Sequence, residues 1–252
     1  ADAPLGGHLG EQLTDGTHML THALHEILKG GLTPDIPWLI TEYGYSAFGA
    51  RAEVDLDGAL LNVDSVGRFL TMGGEAAYLY GYEASEIIKE QGCSSGNNML
   101  FFRDDRGRIK KPTATYWGAR LLTQQWARPG DQPNEIYPAA SDARNGNGDL
   151  LITAYAVHRP DDLWSLMLIN RDPNRVFQAS LIFRGFQGPL DLYQFSAQQY
   201  LLGGPPDSPY PVKSDPPEHT VIQPGNSDGT QITLPPHSLT VIRGALSPIW
   251  IN

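Results

Sequence analysis

The residues best suited to chemistry lie in the segment IPWLITEYGYSAFGA, residues 36–50. A short apolar run leads directly into Glu42, and Tyr43 and Tyr45 follow it. Burying a carboxylate is costly unless the group is paired or used. Position alone allows two interpretations of Glu42. It is a catalytic group at the C-terminal end of a buried parallel strand, where barrel enzymes place catalysis, or a structural cap that bonds the neighbouring backbone.

A second aromatic segment, GGEAAYLYGYEAS, follows at residues 73–85 and predicts the next strand. Because neighbouring parallel strands end at the same edge of a sheet, both segments deliver aromatic and acidic side chains to one rim. Flat aromatic faces with carboxylates between them suit pyranose rings, so we expect carbohydrate to bind there. For any single tyrosine, ordinary core packing remains an alternative. The expected sugar contacts are Tyr43, Tyr45, Tyr80, Tyr82 and Glu83.

These residues need elements that position them, and residues 1–127 provide an alternating pattern. The order of predicted elements is helix, strand, helix, strand, helix, with a loop over residues 86–111, which is typical of a parallel α/β unit. Both predicted strands are apolar on both faces, as buried parallel strands are. Two strands do not complete a sheet of this kind. We therefore expect further strands, outside the 252 residues, to complete it.

Residues 128–252 have a different texture. Short β-rich runs are separated by clusters of Pro, Gly, Asn and Asp, and their spacing predicts an antiparallel sandwich. Residues 203–230 are rich in Pro, Gly, Ser and Asp, which predicts a long surface loop.

Composition and charge exclude several classes of function. The net charge is −10 and the pI is about 5.0, which disfavours nucleic acid and anionic membrane surfaces as partners. No apolar run reaches the roughly 18–20 residues of a transmembrane helix, and no signal-peptide pattern is visible in this chain. The single Cys93 excludes an internal disulfide. A neutral ligand fits this composition.

Four stretches resemble parts of clan A glycoside hydrolases, which are retaining enzymes with a (β/α)8 barrel. PWLITEYGYSA resembles the seventh-strand motif of that clan, and GGEAAYLYGYEAS resembles the eighth strand. KKPTATYWGARLLTQQW is similar to the last barrel helix. The β-rich runs from LLITAYAVHR to LPPHSLTVIRG resemble the β-sandwich that follows the barrel in several families of the clan.

The resemblance implies a fold, an activity and roles for residues. Residues 1–127 would form the last two βα units of a (β/α)8 TIM barrel, incomplete alone, and residues 128–252 an antiparallel β-sandwich, which makes the class α/β plus all-β. Glu42 would be the nucleophile. Tyr80 or Tyr82 would floor the sugar subsite next to the cleaved bond. Neither a metal ion nor an organic cofactor is implied, and a secreted or periplasmic location is expected.

A retaining glycosidase also needs a second carboxylate, about 5–5.5 Å from the first. In the clan the acid/base residue follows an Asn at the end of the fourth strand. The one Asn-Glu pair here, Asn134-Glu135, follows the last predicted barrel helix, so we reject it and expect a surface role for it. Glu83 is interpreted either as a substrate contact or as a residue that supports one. The acid/base and the first six strands are expected from a second polypeptide or a missing N-terminal segment.

A rival hypothesis belongs to a different class of function. The chain would be a non-catalytic carbohydrate-binding or structural part of a larger assembly, with Glu42 bonding sugar hydroxyls instead of attacking the anomeric carbon. An Asn-Glu pair at the end of an upstream strand would favour the enzyme.

Overall fold

The structure is a computed structural model whose residues fall into two compact units. It describes residues 22–23, 25–31, 33, 36–45, 51–81, 99–104, 106–181, 188–224 and 229–245. The first unit runs to Tyr116 and includes Tyr200–Ser214, and the second comprises Trp117–Gln199 and the chain from Asp215. The division expected between residues 127 and 128 stays a prediction about domains.

The described elements are mostly strands. In chain order they are β1 (Leu39–Tyr43), helices Arg51–Val54 and Leu56–Thr71, β2 (Ala76–Leu79), β3 (Phe101–Arg103), β4 (Ile109–Pro112), helix Ala114–Arg120 continuing as a π-helical segment Leu121–Trp126, β5 (Glu135–Tyr137), β6 (Ile152–His158), β7 (Leu163–Asn170), β8 (Phe177–Leu181), β9 (Leu190–Phe195), β10 (Tyr200–Gly203), β11 (Tyr210–Ser214), β12 (Glu218–Ile222), β13 (Thr230–Leu234) and β14 (Ser238–Ala245). Residues 22–23 and 25–29 are helical. Within these ranges, no helix is long and apolar enough to cross a lipid bilayer.

The longer helix between β1 and β2, Leu56–Thr71, has local signals at both ends. Asp55 caps its start, where the side-chain oxygen accepts the Leu56 backbone N–H at 2.8 Å. At the other end Gly73 adopts a φ of 96°, which suits glycine, and ends the helix. A Cβ on Gly74 would lie 2.2 Å from the ring of Phe69, so a larger residue would displace that buried ring. The second helix in the predicted order of helix, strand, helix, strand, helix is therefore confirmed.

Strands β1 and β2 pair in parallel, as the sequence predicts, but they are not buried in this chain. Leu39 is 54% exposed and Tyr78 is 58% exposed. The expectation that both strands are buried is therefore wrong for the chain by itself. The physical reason is that the sheet has two strands among the described residues, and it leaves apolar side chains in contact with solvent.

Two segments predicted as loops contain strands. The predicted loop 86–111 contains β3 and most of β4, which form a hairpin, and the predicted loop 203–230 contains β11 and β12. Both predictions were wrong because these strands are only three to five residues long and each contains Pro or a charged residue, so that they resemble loops in sequence. β11 belongs to the first unit and bonds to β4 there: the Lys111 ammonium donates to the Pro211 carbonyl at 3.2 Å, and the Ser214 hydroxyl donates to the Pro112 carbonyl at 2.8 Å.

The second unit contains two antiparallel sheets on a shared core. The larger has six described strands in the order β12-β9-β14-β7-β6-β5, and the other pairs β13 with β8. Ile152, Leu168 and Ile242 of the larger sheet pack with residues of the smaller one. The smaller sheet contributes Leu181, Ile232 and Leu234.

Within the second unit, Arg159 bonds to the end of the π-helical segment. Its guanidinium donates to the carbonyls of Gln125 at 2.7 Å and Gln124 at 3.2 Å. Asp161 balances the charge with two bonds to Arg159, at 2.7 and 3.0 Å, and also accepts from Arg128 at 2.9 Å. Partial burial alone would raise the pKa of Asp161, but the bonds and charges of Arg159 and Arg128 lower it to about 2.

This network predicts a pH dependence of stability. The folded pKa of Asp161, about 2, lies below the ordinary value near 3.9, so its contribution is present above pH 4 and lost as pH falls toward 2. We expect Asp161→Asn to lower the free energy of unfolding by roughly 2 kcal/mol at pH 6 and much less at pH 2.5. Urea unfolding at both pH values measures this. An equal loss at both values would contradict the assignment.

Candidate functional site

Glu42 lies in a β-bulge near the C-terminal end of β1. Ile40 pairs with Ala77 and Tyr43 pairs with Leu79, so Thr41 and Glu42 together lie opposite the single residue between those partners. Bulges re-aim side chains and are frequent at barrel rims and beside active sites. The Glu42 side chain is exposed. The local backbone therefore presents this carboxylate outside the regular alternation of the strand.

The ends of β1 and β2 bring predicted aromatic residues together. The Tyr80 backbone N–H donates to the Tyr43 carbonyl at 2.8 Å, which places these two residues side by side just after the strands. Tyr80 is 41% exposed, whereas Tyr43 and Tyr45 are half-buried. Among the described residues at these two strand ends, Glu42 is the one carboxylate. The two strand ends therefore carry one acidic and three aromatic residues, which are residue types typical of sugar sites.

The chemistry available at this edge follows from the two side chains of β1. No described residue forms a hydrogen bond or ion pair with the Glu42 side chain, so the structural-cap alternative has no support among those residues. Burial raises the pKa of the Tyr43 phenol to about 12, which keeps it protonated at any physiological pH. The Tyr43 hydroxyl can therefore donate a hydrogen bond.

Two predicted site residues, Tyr82 and Glu83, lie outside the described residues. Their roles, and the choice between Tyr80 and Tyr82 as the floor of the subsite, remain predictions. The described part of the chain contains no group of three or more His, Cys, Asp or Glu that could hold a metal ion.

Asn134 and Glu135 stand at the beginning of β5, in the second unit. The Asn134 side chain exchanges hydrogen bonds with the Arg128 backbone, accepting at 2.9 Å and donating at 3.1 Å. Glu135 bonds the Tyr137 hydroxyl at 3.0 Å and the His158 ring at 3.3 Å. These contacts occupy the pair within a surface network, which agrees with the surface role expected for it.

Two features of the structure were missed in the sequence analysis. The bulge at Glu42 depends on the register with β2, and no residue in LITEY signals it. A cluster of Tyr137, His158 and Trp164 in the second unit was also missed, because it is assembled by pairing across three strands. An alternating aromatic and acidic pattern in EIY was the one available signal.

Comparison with solved structures places the fold among glycoside hydrolases. A GH51 arabinofuranosidase from Xanthomonas axonopodis pv. citri is similar over 93% of this chain and 47% of the arabinofuranosidase chain, with 14% identity and a TM-score of 0.62. The GH51 α-L-arabinofuranosidase of Thermotoga petrophila RKU-1 matches 91% and 49%, with 12% identity and a TM-score of 0.57. The catalytic domain of GH30 xylanase C from Talaromyces cellulolyticus matches 83% and 41%, with 11% identity and a TM-score of 0.54.

At these identities the likeness shows the fold alone. The chain spans less than half the length of each of these solved structures, and it corresponds to their C-terminal part. No family model matches the sequence, and no curated protein matches it.

Proposed function

We propose that this chain carries the nucleophile of a retaining glycoside hydrolase. The observation that carries the proposal is the position of Glu42, in a bulge near the C-terminal end of a parallel strand and next in the chain to Tyr43, whose carbonyl accepts the Tyr80 backbone N–H. Barrel enzymes have their catalytic residues at this end of the strands. The glycosidase fold of the matching structures supports the same proposal.

The proposed reaction has two steps. The Glu42 carboxylate attacks the anomeric carbon, the bond to the leaving oxygen breaks, and a general acid supplies the proton for that oxygen. Water then attacks the glycosyl ester with the acid acting as base, which releases the sugar with its original configuration and restores Glu42. The tyrosines Tyr43, Tyr45, Tyr80 and Tyr82 would stack on the sugar or donate to it, and Glu83 would bond a hydroxyl.

The acid/base and the remaining barrel strands would come from outside these 252 residues. Two facts support this part of the proposal: the chain spans under half of the matching structures, and β1 and β2 expose apolar side chains. Ile36, Leu39 and Tyr78, each about half exposed, are the surface that further strands would cover. Either a second polypeptide or a preceding segment of the same protein would supply these strands and the acid/base.

The proposed substrate is an oligo- or polysaccharide that meets the protein outside the cytoplasm, in a secreted or periplasmic setting. The net charge of −10 disfavours highly acidic polymers.

Isolation of the native protein tests this proposal. Intact mass spectrometry is expected to show either a longer chain or a companion polypeptide of roughly 200–350 residues. The assembly should hydrolyse aryl glycosides, and NMR of the first product should show the anomer of the substrate. An assembly that binds oligosaccharides but hydrolyses none would favour the non-catalytic rival, and the opposite anomer would contradict a glycosyl-enzyme intermediate.

A further inference from the structure

A second group of aromatic and polar side chains lies on the six-stranded sheet of the second unit. We call it the aromatic surface and define it as Glu135, Tyr137, His158, Asp162 and Trp164. Glu135 pairs with His158 across β5 and β6, and His158 pairs with Trp164 across β6 and β7. Because directly paired residues share a face, these three form one row across the sheet. Tyr137, two residues after Glu135, lies on the same face.

The rings of the aromatic surface are in mutual contact. His158 stacks on Trp164 with 4.9 Å between ring centroids and 24° between planes. Tyr137 tilts against Trp164 at 4.6 Å and 53°. Tyr137 is 38% exposed and Trp164 is half-buried, so the group presents apolar ring area to solvent. Such contacts hold the rings in fixed orientations before any ligand arrives.

Hydrogen bonds fix the polar members around the rings. One oxygen of Glu135, Oε2, meets both the Tyr137 hydroxyl at 3.0 Å and His158 Nδ1 at 3.3 Å. The other ring nitrogen, Nε2, bonds Oδ1 of Asp162 at 3.0 Å. Oε1 of Glu135 and Oδ2 of Asp162 make no bond with the described residues, and both side chains are mostly exposed. Two acceptor oxygens thus flank the rings and remain available.

The aromatic surface lies on the core-facing side of the sheet, toward one end. Further along β6 and β7 the same side carries Ile152 and Leu168, which pack with the smaller sheet. Nearer the aromatic surface, Ala154, Ala156 and Leu166 are only half-buried, so this part of the sheet face is less covered by other residues. Small side chains line the adjoining positions: Ala156 pairs with Tyr137, and Gly244 pairs with Trp164. These small side chains leave a flat part of the sheet face beside the rings of Tyr137 and Trp164.

We propose that the aromatic surface is a second carbohydrate site, which binds a neutral polysaccharide chain without cleaving it. Apolar ring faces match the C–H faces of pyranose or furanose rings, and the two available carboxylate oxygens accept sugar hydroxyls. The group contains two carboxylates and no Lys or Arg, so an anionic sugar would be repelled. The geometry does not depend on Glu42, and the inference holds whether or not the chain takes part in hydrolysis.

Affinity electrophoresis of the full native protein tests this site, with the Glu42→Gln variant as the parent so that no polymer is degraded. Native gels containing neutral arabinoxylan or xyloglucan should retard the parent, and polygalacturonate should not. Trp164→Ala and Tyr137→Ala should each weaken retardation in the better neutral polymer by about fivefold to tenfold. Tyr137→Phe, which keeps the ring, should weaken it by less than threefold.

A matched control is Tyr210→Ala, because Tyr210 is also exposed, at 56%, and belongs to the first unit. It should migrate as the parent does. Circular dichroism confirms that each variant is folded, and Tyr137 on the edge strand provides a second variant if Trp164→Ala unfolds. No retardation in either neutral polymer, or equal retardation of both alanine variants and the parent, would overturn the proposal. Stronger binding of hexalysine than of either polymer, lost in Trp164→Ala, would assign the surface to basic peptides instead.

Discussion

Glu42→Gln is expected to lower kcat of the assembled protein by at least about 10³-fold and to leave KM within several-fold of its original value. Glutamine keeps the shape of the side chain, but its amide does not attack the anomeric carbon. Because the substrate contacts proposed for the tyrosines remain, binding should persist while chemistry stops. Steady-state kinetics with an aryl glycoside bearing a good leaving group measures both constants.

A matched control distinguishes this role from a general effect of charge. Glu75 precedes β2, at the opposite end of the same pair of strands, and is also exposed. Its backbone N–H bonds the Trp38 carbonyl at 2.9 Å, and Glu75→Gln leaves that bond intact. This variant should keep kcat within about twofold. Retention of more than a tenth of the activity by Glu42→Gln would contradict the nucleophile assignment.

Rescue of activity by a small anion is a second test, because a purely structural role of Glu42 would not produce it. In Glu42→Gly, azide can enter the space left by the carboxylate and attack the anomeric carbon directly. The product should be a glycosyl azide of inverted configuration, because a single displacement replaces two. A glycosyl azide of retained configuration would instead mark the substituted residue as the acid/base.

Trp126→Ala is expected to lower the free energy of unfolding by about 3–5 kcal/mol, which is the largest loss of stability among the substitutions proposed for this protein. Trp126 is fully buried in the second unit, and its indole N–H donates to the Tyr155 carbonyl at 2.9 Å. Truncation removes a large apolar surface, leaves a cavity, and takes a donor away from a buried carbonyl. Since small domains have total stabilities of about 5–15 kcal/mol, urea unfolding should shift to much lower midpoints.

Trp126→Phe separates packing from the hydrogen bond. It keeps much of the apolar volume and should lower the free energy of unfolding by roughly 1–3 kcal/mol. Val221→Ala, at a position that is 59% exposed on β12, should change it by less than about 0.5 kcal/mol. If Trp126→Ala were as mild as Val221→Ala, the side chain would not be part of the core that holds the second unit together.

Sequence alone predicted the elements that have local signals. The helix Leu56–Thr71 follows from an N-cap aspartate, an apolar stripe and a glycine pair, all of which act within a few residues. β1 and β2 follow from short apolar runs beside that helix. Glu42 was proposed because its charge ends such a run, and the structure places it in β1 next to Tyr43, whose carbonyl accepts the Tyr80 backbone N–H.

The remaining features depend on contacts between distant residues. β11 contains Pro211 and the charged Lys213, so its sequence resembles a loop, and only pairing with β10 and contact with Lys111 define it. The bulge at Glu42 arises from the register between two strands, which neither strand encodes alone. The aromatic surface likewise needs three strands in one register before Tyr137 and Trp164 meet.

The most direct test of the central claim is to trap the glycosyl-enzyme intermediate in the active assembly. A 2-deoxy-2-fluoro glycoside with a good leaving group forms the ester but slows its hydrolysis, because fluorine destabilises the positively charged transition state. Proteolysis and tandem mass spectrometry then locate the added sugar. The account predicts the label on Glu42, in the peptide that contains LITEYGY. A label on any other carboxylate of an assembly shown to be active would contradict it.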